Sequence, residues 1–173
     1  IFALWSMSNM QKSTDDAAVA ALKYMKQSDN MDVHVSDYRI AMYRMLTAET
    51  PAQKTASYAE IRKTAKVIDD TFAEMSDGII FVDKLNEAKD NWDKTKKHGE
   101  KAIALVEAGD TPAATIYIRD EMSKDSMALN TSTEELAQLE LDEAKNKVTT
   151  SGEIYNTART TTFVFLIIIA LIT

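Results

Sequence analysis

Apolar side chains recur at helical spacing along two central segments of the chain. Between Tyr58 and Met75 the apolar positions are separated by 3, 4, 3, 4 and 3 residues. Spacings of 3 and 4 return between Leu85 and Val106, where the smaller Thr95 and Gly99 continue the line. This pattern predicts two amphipathic helices, each with one face packed against a bundle core.

Turn signals bound these two helices. Thr50 can cap a helix start, Pro51 suits the first helical position, and Gln53 can complete a capping box. The segment 76–78, Ser-Asp-Gly, ends the second helix. Gly109 ends the third helix, and the Asp-Thr-Pro that follows starts a fourth. Beyond Pro112 this helix has no further proline and only Gly152 as a weak point up to Thr173.

The first predicted helix, which runs to about Glu49, is apolar on two sides. One line of apolar residues comprises Leu22, Met25, Ile40 and Tyr43. A second stripe lies off that line and comprises Tyr24, Met31, Val35, Tyr38, Met42 and Met45. A helix that is apolar on two sides packs on two sides, so we expect either a homodimer or one broad core face.

Both ends of the chain are apolar. Every residue from Phe163 to Ile172 is apolar, and the chain opens with IFALWSM. We interpret 1–12 as the end of one transmembrane helix and 160–173 as the start of another, with Trp5 at the membrane boundary. The alternative is that both ends are buried core helix.

The segment 13–159 is the predicted folded domain between these ends. Only Lys12 lies close to the first apolar segment and only Arg159 close to the second. Since basic residues concentrate on the cytoplasmic side, this scarcity favours the periplasm or the outside of the cell, with anchoring in the inner membrane.

Composition narrows the possible classes. The 173 residues suit one domain and include 4 Gly, 2 Pro and no Cys. So few turn-forming residues argue against sheet-rich folds and favour an all-α, antiparallel up-down-up-down four-helix bundle, whose long first and fourth helices continue into the membrane. A net charge of −7 makes nucleic acid a poor partner.

The chain resembles the extracytoplasmic four-helix-bundle sensor domain of methyl-accepting chemotaxis receptors, such as the bacterial aspartate and serine receptors. The resemblance rests on the apolar ends, the long-short-short-long order of helices, and the turn 108–110, Ala-Gly-Asp, followed by Ala113 and Ala114. It implies a membrane-anchored homodimer without enzymatic activity that binds a small molecule near the membrane-distal tip. The alternatives are the sensor of a membrane histidine kinase and a structural coiled-coil spacer without ligand.

Two arginines near the far end of the first helix are candidate ligand-binding residues. In aspartate receptors two arginines five residues apart grip the ligand carboxylates, and Arg39 and Arg44 have that spacing, whereas the third position is Ala48. Guanidinium groups bind carboxylates bidentately, so the pair suits a small anion such as an organic acid or amino acid. The alternative is a pair of solvated arginines, or of arginines paired with acids such as Asp37.

Five further side chains could complete the site near the tip: Tyr38, Tyr43, Thr115, Tyr117 and Arg119. The three from the fourth helix could face the first helix, and the two tyrosines of the first helix would add hydroxyl groups. The alternative is that the tyrosines are core residues.

Small residues and histidines complete the candidates. Gly99 and Thr95 could leave room for a ligand or accept a tyrosine or methionine from a neighbouring helix. His34 and His98 lack any metal-ligand spacing, so we expect no metal, haem or other cofactor.

Overall fold

The computed structural model consists of helices joined by short turns in the part of the chain that it describes. It describes the backbone of residues 2–172 and the side chains of 12, 14–157, 159–161 and 164. The elements are α1 (Phe2–Leu46), α2 (Pro51–Met75), α3 (Val82–Glu107), α4 (Thr111–Tyr117), a π-helical turn (Ile118–Met122) and α5 (Ser123–Ile172). No strand occurs among residues 2–172, and α4, the π turn and α5 together form the fourth helix, so the predicted all-α class is confirmed.

The ends of the central helices follow from their capping residues. The Thr50 side chain accepts from the Gln53 backbone N–H at 3.2 Å, and the Gln53 side chain accepts from the Thr50 N–H at 3.0 Å. This is the predicted capping box. Gly78 and Gly109, with φ of 79° and 84°, adopt the left-handed conformation that lets the chain turn after α2 and α3.

The described helices form two compact units, 24–138 and 1–23 with 139–173. The main core lies within 24–138. The predicted seam positions of α3 are all buried, namely Leu85, Ala88, Trp92, Thr95, Gly99, Ala102 and Val106. On α2 the predicted line is buried at Ile61, Ile68, Phe72 and Met75 and half-buried at its other two positions. The predicted seams of both helices are therefore confirmed.

The two apolar stripes of α1 differ in burial. The stripe that runs from Tyr24 to Met45 is buried in the core. The line of Leu22, Met25, Ile40 and Tyr43 is exposed. On the fourth helix, Leu139 continues the helical spacing of the buried Leu129 and Leu136 but is itself exposed.

Polar contacts between helices accompany the apolar core of 24–138. The Tyr24 hydroxyl donates to the Asp77 carbonyl at 3.0 Å, and Trp92 Nε1 donates to Asp69 Oδ1 at 2.6 Å. Lys84 of α3 forms an ion pair with Glu135 of α5. These contacts fix which segments of the four helices are neighbours.

The fourth helix is interrupted where the sequence predicts an unbroken α-helix. The Ser123 backbone N–H donates to the Ile118 carbonyl, five residues earlier, and the Ser123 hydroxyl donates to the same oxygen at 3.0 Å. The prediction that Gly152 is the only weak point of this helix is therefore wrong. A π turn accommodates one extra residue, and such turns are frequent at functional sites.

Of the expected membrane segments 1–12 and 160–173, the side chains of 1–11, 162, 163 and 165–173 lie outside those described, and these include Trp5. Among the described residues, no helix carries a stretch that is both long and apolar enough to cross a bilayer.

Candidate functional site

Arg39 is half-buried on α1, and part of its guanidinium group has no partner. Its Nε atom is buried and makes no hydrogen bond to any described residue. Buried polar groups are nearly always hydrogen-bonded, so an orphaned guanidinium N–H is unusual. Arg44, in the last turn of α1, is exposed. The two cationic groups are therefore differently placed, one partly inside the bundle and one on its surface.

Tyr38 lies in the core between α1 and α3. It is 1% exposed, and its ring contacts Trp92 edge-to-face with centroids 5.1 Å apart. A Cβ atom added at Gly99 would lie 2.1 Å from the Tyr38 hydroxyl oxygen, so Gly99 makes room for this ring. The structure thus selects the second of the two uses expected for Gly99, acceptance of a tyrosine. Burial, followed by the charges of Glu100 and Asp69, raises the pKa of Tyr38.

Tyr43 and Arg119 are both exposed. Arg119 lies in the π turn and binds Asp120 through Nε and Nη2, at 2.6 and 2.9 Å. This contact raises the pKa of Arg119, with a smaller contribution from Tyr43, and lowers the pKa of Asp120. A ligand carboxylate at Arg119 would have to compete with Asp120.

The other two predicted site residues of the fourth helix make contacts elsewhere. Thr115 is exposed, and its hydroxyl donates to the Thr111 carbonyl within α4 at 2.9 Å. The Tyr117 hydroxyl lies 2.6 Å from His98 Nδ1 on α3. Tyr38 and Tyr117 are therefore each engaged with α3, and the seven candidates do not converge on one pocket.

A polar chain that the sequence analysis missed joins α3 to the fourth helix. His98 Nε2 lies 2.9 Å from Asp125 Oδ2, while His98 Nδ1 meets Tyr117, and Lys101 Nζ lies 4.7 Å above the Tyr117 ring. The chain flanks the π turn on both sides. Its members lie on different helices, so no local motif could have revealed it.

Potential metal-ligating side chains are scattered over the described part of the chain. There, no group of three or more His, Asp or Glu side chains is arranged to hold a metal ion. Both ring nitrogens of His98 are engaged by protein side chains, Nδ1 by Tyr117 and Nε2 by Asp125.

Comparison with known proteins identifies the protein family to which the chain belongs. The model of a four helix bundle sensory module for signal transduction matches residues 1–155. Comparison with curated proteins and with solved structures finds no match. The family match covers most of the 173 residues and agrees with the four helices and their buried seams. The chain therefore belongs to the family of four-helix-bundle sensory modules of signal transduction, the module of methyl-accepting chemotaxis receptors.

Proposed function

We propose that this chain is the extracytoplasmic ligand-sensing domain of a transmembrane chemoreceptor, and that it binds a small carboxylate at Arg39 and Arg44. The observation that carries the proposal is the buried Arg39 Nε without a partner. Leaving such a donor unpaired costs about 1–3 kcal/mol. A carboxylate ligand would satisfy it with a charge-assisted hydrogen bond.

Electrostatics favours a local cationic site for an anionic ligand. The chain carries a net charge of −7, so an anion approaches against the overall field unless positive charge is concentrated where it binds. Neither Arg39 nor Arg44 forms an ion pair with any described residue. Arg119, which Asp120 already neutralises, is a weaker third contact.

A homodimer through α1 is part of the proposal. Within 24–138, an apolar stripe of α1 stays exposed at Met25, Val33, Ile40 and Tyr43. Arg44 follows Ile40 by four residues and therefore borders the same stripe. A second copy that covered the stripe would bring its own Arg44 to the same interface, where a ligand could be held between subunits.

The proposed signalling step uses an up-down-up-down bundle. The contacts Tyr24–Asp77, Trp92–Asp69 and Lys84–Glu135 are consistent with this order of helices. A ligand that touched α1 and the fourth helix would favour a displacement of about 1–2 Å of one against the other, and an anchored fourth helix would carry it to the membrane.

The test is a thermal-shift and calorimetry panel of dicarboxylates, citrate, amino acids and aromatic acids. We expect one class of carboxylate to bind, and Arg39→Ala to cost about 2–5 kcal/mol of binding free energy because the charge pair is partly desolvated. Arg44→Ala should also weaken binding. Arg159→Ala, an exposed arginine outside 24–138, serves as the matched control.

Two outcomes would contradict the proposal. Unchanged affinity in both Arg39→Ala and Arg44→Ala would exclude the arginine site. A complete absence of saturable binding across the panel would instead favour a structural spacer.

A further inference from the structure

A groove lies between α2 and α3, apart from the arginines of α1. Its cavity volume is about 440 Å³, within the range of small-molecule sites. Ile61 and Ala65 of α2 and Ile103 of α3 supply apolar lining, and Tyr38 of α1 also lines the groove. The groove therefore has the size and the apolar surface that a small organic molecule needs.

Tyr38 contributes a hydroxyl group to this groove. The side chain is 1% exposed and its ring is fixed by Trp92 and Gly99. No described residue forms a hydrogen bond with the hydroxyl. Because the residue is almost fully buried, a ligand group that hydrogen-bonds to this hydroxyl gains affinity.

Two of the cations beside the groove are already neutralised. Lys66 pairs with Asp70 at 2.5 Å. Lys96 lies 3.1 Å from Asp69 and 3.3 Å from Asp93. Neither lysine is therefore available to hold an anionic ligand without breaking an existing pair.

Three charged groups of the groove have no ion-pair partner among the described residues. They are Arg62, Glu100 and Glu107. Together they leave one residual negative charge. Glu100 also acts on the Tyr38 hydroxyl, because its charge contributes to the raised pKa of that tyrosine. The charge of the groove is therefore complementary to a single positive charge placed near Tyr38 and Glu100.

We propose that this groove binds a small organic monocation, a primary ammonium group on a short apolar body. The ammonium donates hydrogen bonds to the Tyr38 hydroxyl oxygen and to the Glu100 carboxylate. The apolar body packs against Ile61, Ala65 and Ile103. The site is distinct from the arginine site in position and in the charge of its ligand, so each can fail without the other.

The first experiment compares two probes with the same body and opposite charge, phenethylamine and 3-phenylpropionate, by calorimetry and NMR on the 173-residue chain. We expect saturable binding of the amine at millimolar concentration or below. Glu100→Gln should weaken it about fivefold, as for an exposed ion pair. Tyr38→Phe should weaken it by a similar factor, as for one hydrogen bond. Glu121→Gln is the control, since Glu121 is exposed and outside the groove.

A second pair of variants tests the location without changing any charge. Ala65→Phe fills the groove from α2 and should weaken amine binding more than tenfold. Ala59→Phe, at an exposed position of α2 outside the groove, should leave it unchanged. Circular dichroism of both variants establishes that they are folded.

Three results would overturn the proposal. One is a lack of saturable amine binding, and another is amine binding that survives Ala65→Phe. The third is equal affinity for phenethylamine and 3-phenylpropionate, because Arg62 would then hold a carboxylate and the ligand class would not be a monocation.

Discussion

The two apolar faces of α1 contrast in what covers them. Met42 and Tyr38 on one face are 0% and 1% exposed, whereas Ile40 and Met25 on the other are 47% and 40% exposed. Both faces carry large apolar side chains. The buried face is distinguished by complementary small positions on a neighbouring helix, as Gly99 of α3 is for Tyr38. Hydrophobicity alone marks a surface for contact, and shape complementarity decides which contact lies within the bundle.

Truncating one residue on each face tests whether the two faces of α1 contribute differently to stability. Met42→Ala should lower the free energy of unfolding by about 2–5 kcal/mol, because it leaves a cavity in the core. Ile40→Ala should change it by less than about 1 kcal/mol in the monomer, since its side chain is already half in water. Urea denaturation at low protein concentration measures both. Equal losses would show that both faces are core.

The close fit between α1 and α3 predicts a smaller effect at Gly99. Gly99→Ala should destabilise the chain by about 1–3 kcal/mol through overpacking, although alanine favours helix. The nearest atom to the new Cβ is the Tyr38 hydroxyl oxygen at 2.1 Å, and the next is Cζ at 3.1 Å. Tyr38→Phe in the same chain should therefore recover part of the loss.

Gly152→Ala provides the matched control for that pair. Gly152 is also helical, but no atom lies within 4 Å of its added Cβ. This variant should be neutral or stabilised by up to about 1 kcal/mol. A loss at Gly152 as large as at Gly99 would refute the steric explanation.

A charged residue on the exposed face of α1 tests whether this face mediates self-association. Ile40→Asp should weaken self-association of the chain about tenfold or more, because an apolar contact of the proposed dimer is replaced by a carboxylate. Sedimentation across a concentration series measures the change. Val82→Asp, at an exposed apolar position at the start of α3, should leave association unchanged. A strict monomer in the parent chain at millimolar concentration would contradict the dimer.

The central helices were predictable because local chemistry specifies them. Thr50, Pro51 and Gln53 fix the start of α2 through contacts within four residues, and the 3–4 spacing selects its buried face. The end of α1 was placed about three residues too late, at Glu49 instead of Leu46. No glycine or proline marks that end, so its position depends on the turn that follows.

The candidate site was less predictable because it depends on the rotation of each helix. Arg39 and Arg44 have the spacing that the sequence shows, and neither forms an ion pair with a described residue. Tyr38, Tyr43 and Tyr117 are all tyrosines, but they lie in different surroundings. Tyr38 packs into the space at Gly99 of α3 and Tyr117 meets His98 of α3, whereas Tyr43 is exposed. Such cross-helix choices have no signal in the local sequence.

The π turn also changes how this chain should be aligned with its relatives. One residue added to a regular α-helix rotates everything beyond it by about 100°, so core positions would turn towards solvent. Here Ile118 and Met122 at the two ends of the turn are both fully buried, and Leu129 and Leu136 beyond it return to the core. A relative one residue shorter within Ile118–Met122 would keep the same buried face with an ordinary α-helix. A single-residue gap in this stretch is therefore compatible with an unchanged fold, whereas the same gap in the middle of α2 or α3 would rotate the buried face beyond it by about 100°.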